Sequence, residues 1–266
     1  MRRVVLVLAL TCCVAPILWQ VRTALTPTEA LTVAPPEWWP RHPTLHHFAA
    51  AFSTGAFARS LGNSAITAIG ATALALAVGT PGAYAAAGLG LLGGRVLLGA
   101  ALAASLLPPV SLVSPLFRML ERLGALNTYP GLIVPHAALA LPIVLWVLAA
   151  TFRELPPALR EAAEVDGCSS AGALWRIILP AAMPGVATAA ILAFTVSWNE
   201  LLLALTLAGA ERVQTATVAL AFFPGREEFP WGEIAAASLV VAAPLAVLVL
   251  CFQRRIASGL TAGVEG

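Results

Sequence analysis

Residues 159–185 read LREAAEVDGCSSAGALWRIILPAAMPG, a polar stretch between hydrophobic segments long enough to span a bilayer. Its first part, 159–166, mixes acidic residues with alanines, as short exposed helices do. Gly167 follows and can adopt the left-handed conformation that ends a helix. The sequence therefore predicts a helix that ends in a tight turn at Gly167.

A second short helix is predicted directly after this turn. Ser169 or Ser170 can cap its start, and Leu174, Ile177 and Ile178 recur at helical spacing. Two prolines are expected to stop it: Pro180 and Pro184. Such an amphipathic pair of helices suits the groove of another protein, although a loop lying on lipid headgroups would show the same periodicity. We expect a protein outside the membrane to dock on this pair.

The composition of the whole chain is that of an integral membrane protein. Of its 266 residues, 59% are hydrophobic and 11% are charged, and the mean hydropathy is +0.88. A soluble domain cannot cover so much apolar surface. Open strands are excluded because lipid satisfies no backbone hydrogen bonds, so the fold class is all-α. We predict a single transmembrane domain over residues 1–266 with a hairpin at 153–184 and six spans: approximately 4–22, 60–88, 96–117, 131–152, 185–208 and 233–253.

The spans can be oriented by counting arginines, because lysine is absent. With both termini in the cytoplasm, eight arginines face inward: Arg2, Arg3, Arg95, Arg153, Arg160, Arg176, Arg254 and Arg255. Seven then face outward: Arg22, Arg41, Arg59, Arg118, Arg122, Arg212 and Arg226. The positive-inside rule favours this orientation by a small margin. The basic start could open a secretory signal peptide, but we favour a retained first span, since no clear cleavage site follows.

Residues 23–57 and 209–231 then form the longest loops on the outer face. Three histidines in the first loop, at 42, 46 and 47, could be imagined as metal ligands, but neither a cysteine nor an acid completes a set. We therefore predict a solvated loop that meets a short helix, and no metal site. The four cysteines, Cys12, Cys13, Cys168 and Cys251, lack metal-ligand spacing and are interpreted as small buried hydrophobic residues.

Polar residues inside the spans are the candidates for a solute pathway. Glu200 is an acid well inside a predicted helix, so it should point into the bundle. We place four residues on the pathway because solute hydroxyls need hydrogen-bond partners: Asn63, Ser197, Asn199 and Glu200. The alternative is that they join helices together. His136 is expected to bond to a neighbouring helix and to have no catalytic role, and the small residues of the second span should let helices approach closely.

The hairpin resembles the EAA coupling motif of the membrane subunits of bacterial ABC importers. The match consists of Glu161-Ala162-Ala163, three residues, Gly167, nine residues, Ile177, one residue and Leu179-Pro180. Residues 111–132, 197–205 and 231–263 are further similar to the maltose-type branch of carbohydrate permeases. The resemblance thus covers nearly the whole chain.

This resemblance implies a permease subunit in the bacterial plasma (inner) membrane that imports a sugar or polyol. Its implied partners are a second homologous permease, two copies of a cytoplasmic ATP-binding subunit, an extracytoplasmic solute-binding protein and membrane lipid. ATP and Mg²⁺ would bind the partner ATPase, since this chain lacks a phosphate-binding loop. No cofactor, catalytic residue or nucleic acid is expected in this chain.

The resemblance also implies how the hairpin would act, as a lever in a groove of the ATPase that couples its closure to alternating access. Glu161 and Asp166 would pair with cationic groups, and Gly167 would set the angle between the helices. Leu174 and Ile177 would fill apolar contacts with the ATPase. The implied coupling set is Glu161, Ala162, Ala163, Asp166, Gly167, Leu174, Ile177, Leu179 and Pro180.

Two alternatives belong to other classes of protein. An ion-coupled secondary transporter would use an acid near the midplane, for which Glu200 is the strong candidate, but such folds often show internal repeats and we find none. An intramembrane hydrolase is disfavoured, since neither a G-x-S-x-G nor an H-E-x-x-H motif is present. The residues alone do not identify the solute.

Overall fold

The computed structural model describes residues 2–35, 37–89, 93–223 and 229–261, with side chains described between residues 4 and 252. Throughout these ranges the regular elements are helices, which confirms the all-α prediction. Three further stretches lie outside the described residues: 90–92, 224–228 within the predicted loop 209–231, and 262–266, which include the last two residues of the similar segment 231–263.

The described chain contains fourteen α-helical segments and two π-helical turns. The helices are α1 (Arg2–Leu25), α2 (Thr28–Leu31), α3 (His46–Phe52), α4 (Ala56–Ala83), α5 (Gly94–Ser105), α6 (Pro109–Arg122), α7 (Tyr129–Glu154), α8 (Pro157–Val165), α9 (Ser170–Ala173), α10 (Leu179–Ala181), α11 (Met183–Trp198), α12 (Leu202–Leu207), α13 (Ala216–Ala221) and α14 (Trp231–Thr261). The π turns, Tyr84–Gly88 and Leu174–Ile178, continue α4 and link α9 to α10.

Four helical stretches within the described residues are long and apolar enough to cross a membrane. They are Val4–Leu25, Ala56–Ala87, Tyr129–Glu154 and Trp231–Phe252. Two bent pairs of helices pass the same test together, so the number of spans is four to six. The prediction of a multi-span helical protein is confirmed at this level, while the six individual spans remain a prediction.

The third predicted span, 96–117, is not one straight helix. Helices α5 and α6 meet at an angle of 97° instead. Pro108 and Pro109 lie at the corner, where Pro108 is extended and Pro109 starts α6. Proline has no N–H to continue a helix and restricts the residue before it, and the two in succession explain the break.

The fifth predicted span, 185–208, is also interrupted. Helix α11 ends at Trp198, and the separate helix α12 begins at Leu202. Sixteen residues of α11 rise only about 24 Å, which is less than the bilayer core. A continuous span was predicted here because Glu200 interrupts the apolar run at a single position only.

The second helix of the hairpin runs through Pro180, so the prediction that Pro180 stops it was wrong. The chain stays helical from Ser170 to Ala181 and turns by 84° into α11. Just before the proline, the N–H of Leu179 bonds to the carbonyl of Leu174, five residues back. This wider turn releases the usual hydrogen-bond pattern at the position where a proline would break it.

Helices α4, α7 and α11 pack together to form the centre of the bundle, and their contact depends on small residues. A Cβ added at Gly79 of α4 would lie 2.6 Å from Cγ1 of Val144 in α7. One added at Gly185 of α11 would overlap the side chain of Thr151. The expected close approach of helices through small residues is confirmed at these two crossings.

Helix α1 packs against α14 only near its C-terminal end, where Ala24 meets Ala235 and Ala236. Its residues 4–20 are exposed over their whole circumference. Cys12 and Cys13 lie in this stretch, and Cys251 is exposed on α14, so the predicted burial of these three cysteines was wrong for the isolated chain. In a membrane such apolar faces contact lipid or a neighbouring subunit.

Candidate functional site

The first helix of the hairpin, α8, has a well-defined start and end. Pro157 occupies its first turn, where a missing N–H costs nothing. At its end Gly167 has a φ of 74°. The Gly167 N–H donates to the carbonyl of Glu164 at 3.0 Å, and the Cys168 N–H donates to that of Ala163 at 2.9 Å. This pair of bonds is a Schellman motif, and its left-handed residue is the glycine that the sequence indicated.

The second helix starts at Ser169, one of the two serines proposed as its cap. The Ser169 hydroxyl accepts a hydrogen bond from the N–H of Gly172 at 3.2 Å, and its carbonyl accepts one from Ala173 at 2.8 Å. The turn of Gly167 and the cap of Ser169 are separated by one residue, so the relative direction of the two helices is fixed by local bonds.

The nine residues of the coupling set divide between the inner and outer sides of the hairpin. Five are exposed: Glu161, Ala162, Asp166, Gly167 and Pro180. Ile177 and Leu179 are half-buried, while Ala163 and Leu174 are buried. Leu174 belongs to the same hydrophobic core as Tyr84, Phe152 and Ile178. Its side chain therefore secures the hairpin to the bundle and offers no surface for the apolar contact with an ATPase that the resemblance implied.

The two helices of the hairpin carry large exposed apolar side chains that the sequence did not single out. Val165 is 87% exposed and Trp175 is 53% exposed. Val165 follows Glu161 by four residues and so shares its face of α8, which is the signal that could have identified it. The outer side of the hairpin therefore combines acidic and apolar groups, as a protein-docking surface does.

One surface ion pair accompanies this hairpin. Nε of Arg160 lies 3.5 Å from Oε1 of Glu164, one helical turn away. Both side chains are partly exposed, so the pair adds little stability.

A polar cluster lies inside the bundle between α7 and the junction of α11 with α12. Nδ1 of His136 lies 2.9 Å from Oγ of Ser197, which confirms the expected bond of His136 to a neighbouring helix. Nε2 of His136 lies 3.6 Å from Oε2 of Glu200. His136 and Ser197 are buried, and the Glu200 side chain is 10% exposed. Glu200 thus points into the bundle as predicted.

The Glu200 carboxylate caps the N-terminal end of α12. Its two oxygens accept hydrogen bonds from the N–H groups of Leu203 and Ala204, each at 3.0 Å. Its own carbonyl accepts one from the hydroxyl of Thr217 at 2.9 Å. A charged cap of this kind satisfies amides that would otherwise lack partners in an apolar setting.

Asn63 of α4 holds the loop that contains Arg212 and Gln214 against this helix. Its amide nitrogen donates to the carbonyls of Arg212 and Gln214 at 3.1 and 2.9 Å, and its oxygen accepts from the Tyr129 hydroxyl at 2.7 Å. Asn199 is exposed and donates to the carbonyl of Thr195 at 3.0 Å. The four pathway candidates are therefore not one site: Ser197 and Glu200 share the interior cluster, whereas Asn63 and Asn199 lie elsewhere.

The three histidines of residues 23–57 lie in or shortly before the short helix α3. Among the described residues, His, Cys, Asp and Glu side chains form no group of three or more that could hold a metal ion. The predicted short helix is present as α3. His47 is buried rather than solvated. Its Nε2–H donates to the carbonyl of Thr26 at 2.8 Å, so this ring nitrogen has a partner in the interior.

Comparisons with known proteins agree with the helical membrane architecture. The family model described as "Binding-protein-dependent transport system inner membrane component" matches residues 79–261. The trehalose transport system permease protein SugB of Mycobacterium tuberculosis is 42% identical over 250 residues, which cover 93% of this chain and 90% of that protein. The sulfoquinovosyl glycerol transport system permease protein SmoH of Agrobacterium fabrum is 39% identical over 248 residues, 93% of this chain and 87% of its own.

Two further matches extend this agreement. The trehalose/maltose transport system permease protein MalG of Thermococcus litoralis is 38% identical over 222 residues, 83% of this chain and 76% of that protein. A chain in the crystal structure of a bacterial ABC transporter involved in the import of the acidic polysaccharide alginate superimposes with a TM-score of 0.79. It is 20% identical and covers 95% of this chain and 94% of that one, so it shows a shared fold.

Proposed function

The chain belongs to the family of binding-protein-dependent transport system inner membrane components, and from this membership we propose that it is the permease subunit of an ABC importer for a sugar or related polyol. The relatives named above are permease proteins of transport systems for trehalose, sulfoquinovosyl glycerol and trehalose/maltose, which supports a carbohydrate as the solute. They are transporter subunits, so ATP hydrolysis is assigned to a separate chain.

The observation that carries the proposal is the attachment of the hairpin to the bundle. Leu174 and Ile178 are buried in the core that contains residues of α4, α7 and α11, while Glu161 and Asp166 are exposed. A partner that moves the exposed side of the hairpin would therefore move the bundle with it, because a packed core transmits a displacement instead of absorbing it.

The roles of the coupling set follow from these positions. Glu161 and Asp166 pair with cationic groups of the ATPase, and the exposed Val165 and Trp175 supply its apolar contact. Gly167 sets the angle of the hairpin. Leu174 secures it to the bundle, and the buried Ala163 belongs to the inner side of the hairpin. The docking surface is completed by Ala162, Ile177, Leu179 and Pro180.

The full assembly contains this chain, a second homologous permease, two copies of the ATP-binding subunit and an extracytoplasmic solute-binding protein. Both termini and the hairpin at 153–184 lie in the cytoplasm, and the six spans form one domain in the bacterial inner membrane. The solute-binding protein docks on the outer loops 23–57 and 209–231. ATP closure of the partner subunits rocks the two bundles between inward-open and outward-open states.

An ion-coupled secondary transporter receives no support from the comparisons. Glu200, the acid that such a mechanism would use, has both carboxylate oxygens occupied by backbone amides. The two mechanisms differ in their energy source, so the experiment compares ATP with an ion gradient as the driving force.

The test reconstitutes the whole assembly in proteoliposomes and measures uptake of radiolabelled trehalose and maltose as probes, with ATP inside or with an imposed proton or sodium gradient. Uptake that requires ATP, the ATPase and the binding protein supports the proposal. Uptake driven by either gradient without the ATPase contradicts it.

A matched pair of variants tests the hairpin within the same assay. Gly167→Val should assemble in the membrane but abolish uptake, because valine is strained at a φ of 74°. Gly167→Asn should retain uptake, since asparagine tolerates this conformation and a Cβ at this position meets nothing within 4 Å. Normal uptake by the valine variant would refute the lever.

A further inference from the structure

A small cavity lies between the hairpin and the ends of α4 and α7, and none of the roles above accounts for it. Its volume is about 250 Å³. Its lining combines a few polar groups, Tyr84, Arg153 and Arg160, with an apolar remainder: Ala87, Phe152, Leu155, Pro156, Pro157 and Ile178. We call it the hairpin cavity. Its lining comes from α7, α8, the connection between them and the two π turns, so its shape depends on the fold rather than on one loop.

Tyr84 supplies a hydrogen-bond donor to the cavity. The residue is 4% exposed, and its ring packs edge-on against Phe152 with centroids 5.8 Å apart. Its hydroxyl group has no hydrogen-bond partner within the described part of the chain. A buried hydroxyl without a partner costs free energy, and tyrosine hydroxyl groups are normally paired when they are buried. The hydroxyl therefore indicates a ligand atom that accepts a hydrogen bond.

Two arginines and the start of a helix provide positive charge at the hairpin cavity. Arg153 and Arg160 both line the cavity. Helix α8 also begins at its wall, with Pro157 in the first turn and no side chain capping its amides. Helix N-termini carry partial positive charge and favour anions. Glu164 pairs with Arg160 at 3.5 Å, but Glu164 is 57% exposed and does not line the cavity. The ligand expected from these groups is an anion with several acceptor oxygens.

The cavity lies at the depth of the lipid headgroups. The span Ala56–Ala87 contains Tyr84 near its end, and the span Tyr129–Glu154 ends one residue after Arg153. Phe152, Leu155 and Ile178 provide an apolar wall beside the arginines. A phosphate that carries a glycerol backbone would find both environments at this position.

We propose that the hairpin cavity binds a phosphate group, held by Arg153, Arg160, the Tyr84 hydroxyl and the start of α8. Arginine matches phosphate oxygens geometrically, and the hydroxyl donates to a further oxygen. The group comes from an anionic phospholipid of the leaflet on the hairpin side or from free inorganic phosphate. The inference depends on the chain's lying in a membrane and not on which solute it carries.

The test uses the assembled transporter in detergent and native mass spectrometry with three probes: phosphatidylglycerol, phosphatidylcholine and inorganic phosphate. The wild-type assembly should retain phosphatidylglycerol in preference to phosphatidylcholine, whose choline offsets the charge. Loss of a charge-assisted hydrogen bond lowers affinity by about tenfold, so Arg160→Gln should reduce retention by about that factor. Tyr84→Phe should reduce it less, and in the same direction.

Two features keep these variants interpretable. Tyr84→Phe removes a single oxygen and keeps the ring contact with Phe152, so the fold is preserved. Arg118→Gln is the matched control, since Arg118 is an exposed arginine of α6 that does not line the hairpin cavity. It should leave retention unchanged. Thermal stabilisation by added phosphatidylglycerol should likewise be smaller in Tyr84→Phe than in wild type and unchanged in Arg118→Gln.

The two phosphate sources give different results. Retention of phosphatidylglycerol that millimolar inorganic phosphate does not displace supports the site and identifies lipid as the source. Binding of inorganic phosphate alone, lost in Arg160→Gln, supports the site and identifies the free ion. Equal retention of phosphatidylglycerol by wild type, Arg160→Gln and Tyr84→Phe overturns the proposal. So does a melting temperature of Tyr84→Phe in saturating phosphatidylglycerol that equals or exceeds that of wild type under the same condition.

Discussion

Glu200 bonds to neighbouring segments inside the bundle through both its backbone carbonyl and its side chain. Its carboxylate caps α12 through Leu203 and Ala204, and it lies beside His136 of α7. In an apolar environment the two amides would otherwise lack partners. The stabilising role that these bonds indicate is separate from contact with the solute.

Glu200→Ala is therefore expected to lower stability more than a surface change would. Loss of a helix cap costs about 1–2 kcal/mol, and here two amides lose their acceptor. Glu200→Gln keeps one acceptor oxygen and should lose about half as much. The measurement is the thermal unfolding midpoint of the purified assembly, with uptake recorded in parallel.

Asn199→Ala is the matched control, because Asn199 is the neighbouring residue but is exposed and bonds only within its own helix among the described contacts. It should leave the unfolding midpoint unchanged. If Asn199 contacts the solute, uptake falls through a higher KM at constant stability. An Asn199→Ala midpoint lowered as much as that of Glu200→Ala would contradict the capping role.

At the scale of helices, the crossing of α4 with α7 depends on the absence of a side chain at Gly79. Val144 fills the space where a Cβ would stand and is itself fully buried. A β-branched residue in a packed core cannot move aside without disturbing its neighbours.

Gly79→Ala is expected to lower the unfolding midpoint through overpacking, which costs about 1–3 kcal/mol. Gly62→Ala is its control on the same helix, since a Cβ there meets nothing within 4 Å. That change should be neutral or stabilising, because alanine favours a helix over glycine. The comparison uses thermal unfolding in detergent, and equal effects of the two substitutions would show that the crossing tolerates wider spacing.

At the scale of the whole molecule, the four native cysteines can report the orientation of the chain. Cys168 lies half-buried in the hairpin, whereas Cys12, Cys13 and Cys251 lie in candidate spans. With the hairpin in the cytoplasm, a membrane-impermeant maleimide should label Cys168 in inside-out vesicles and not in intact cells. Cys168→Ala should remove the signal.

Docking of the ATPase should protect the same cysteine. Cys168 follows Gly167 directly, at the turn of the proposed docking surface. Labelling of inside-out vesicles is expected to fall when the ATPase subunits are present and to recover when they are stripped away. Labelling from the outside of intact cells would reverse the proposed topology.

The local features of the hairpin could be predicted from single residues. Gly167 adopts the left-handed conformation, and Ser169 caps the second helix. Both effects act within a few residues along the chain, so sequence is sufficient. The π turn before Pro180 was missed, because the helix continues with an altered hydrogen-bond pattern that no residue type specifies.

The interior contacts were predictable only in part. A polar residue in an apolar span must find a partner, which led correctly to a bond for His136 and an inward position for Glu200. The partners themselves were not predictable. Asn63 bonds to Arg212 and Gln214, about 150 positions away, and that pairing depends on how the outer loop folds back over α4.

The sequence alone determined that this is a helical membrane protein with a polar hairpin after a long apolar helix, because hydrophobicity and helix termination depend on local chemistry. The tertiary structure decided the rest. It turned Leu174 inward, left Val165 and Trp175 exposed, and placed Tyr84 beside two arginines at one cavity. These outcomes depend on which surfaces of distant segments meet, and packing between segments is not encoded at any single position.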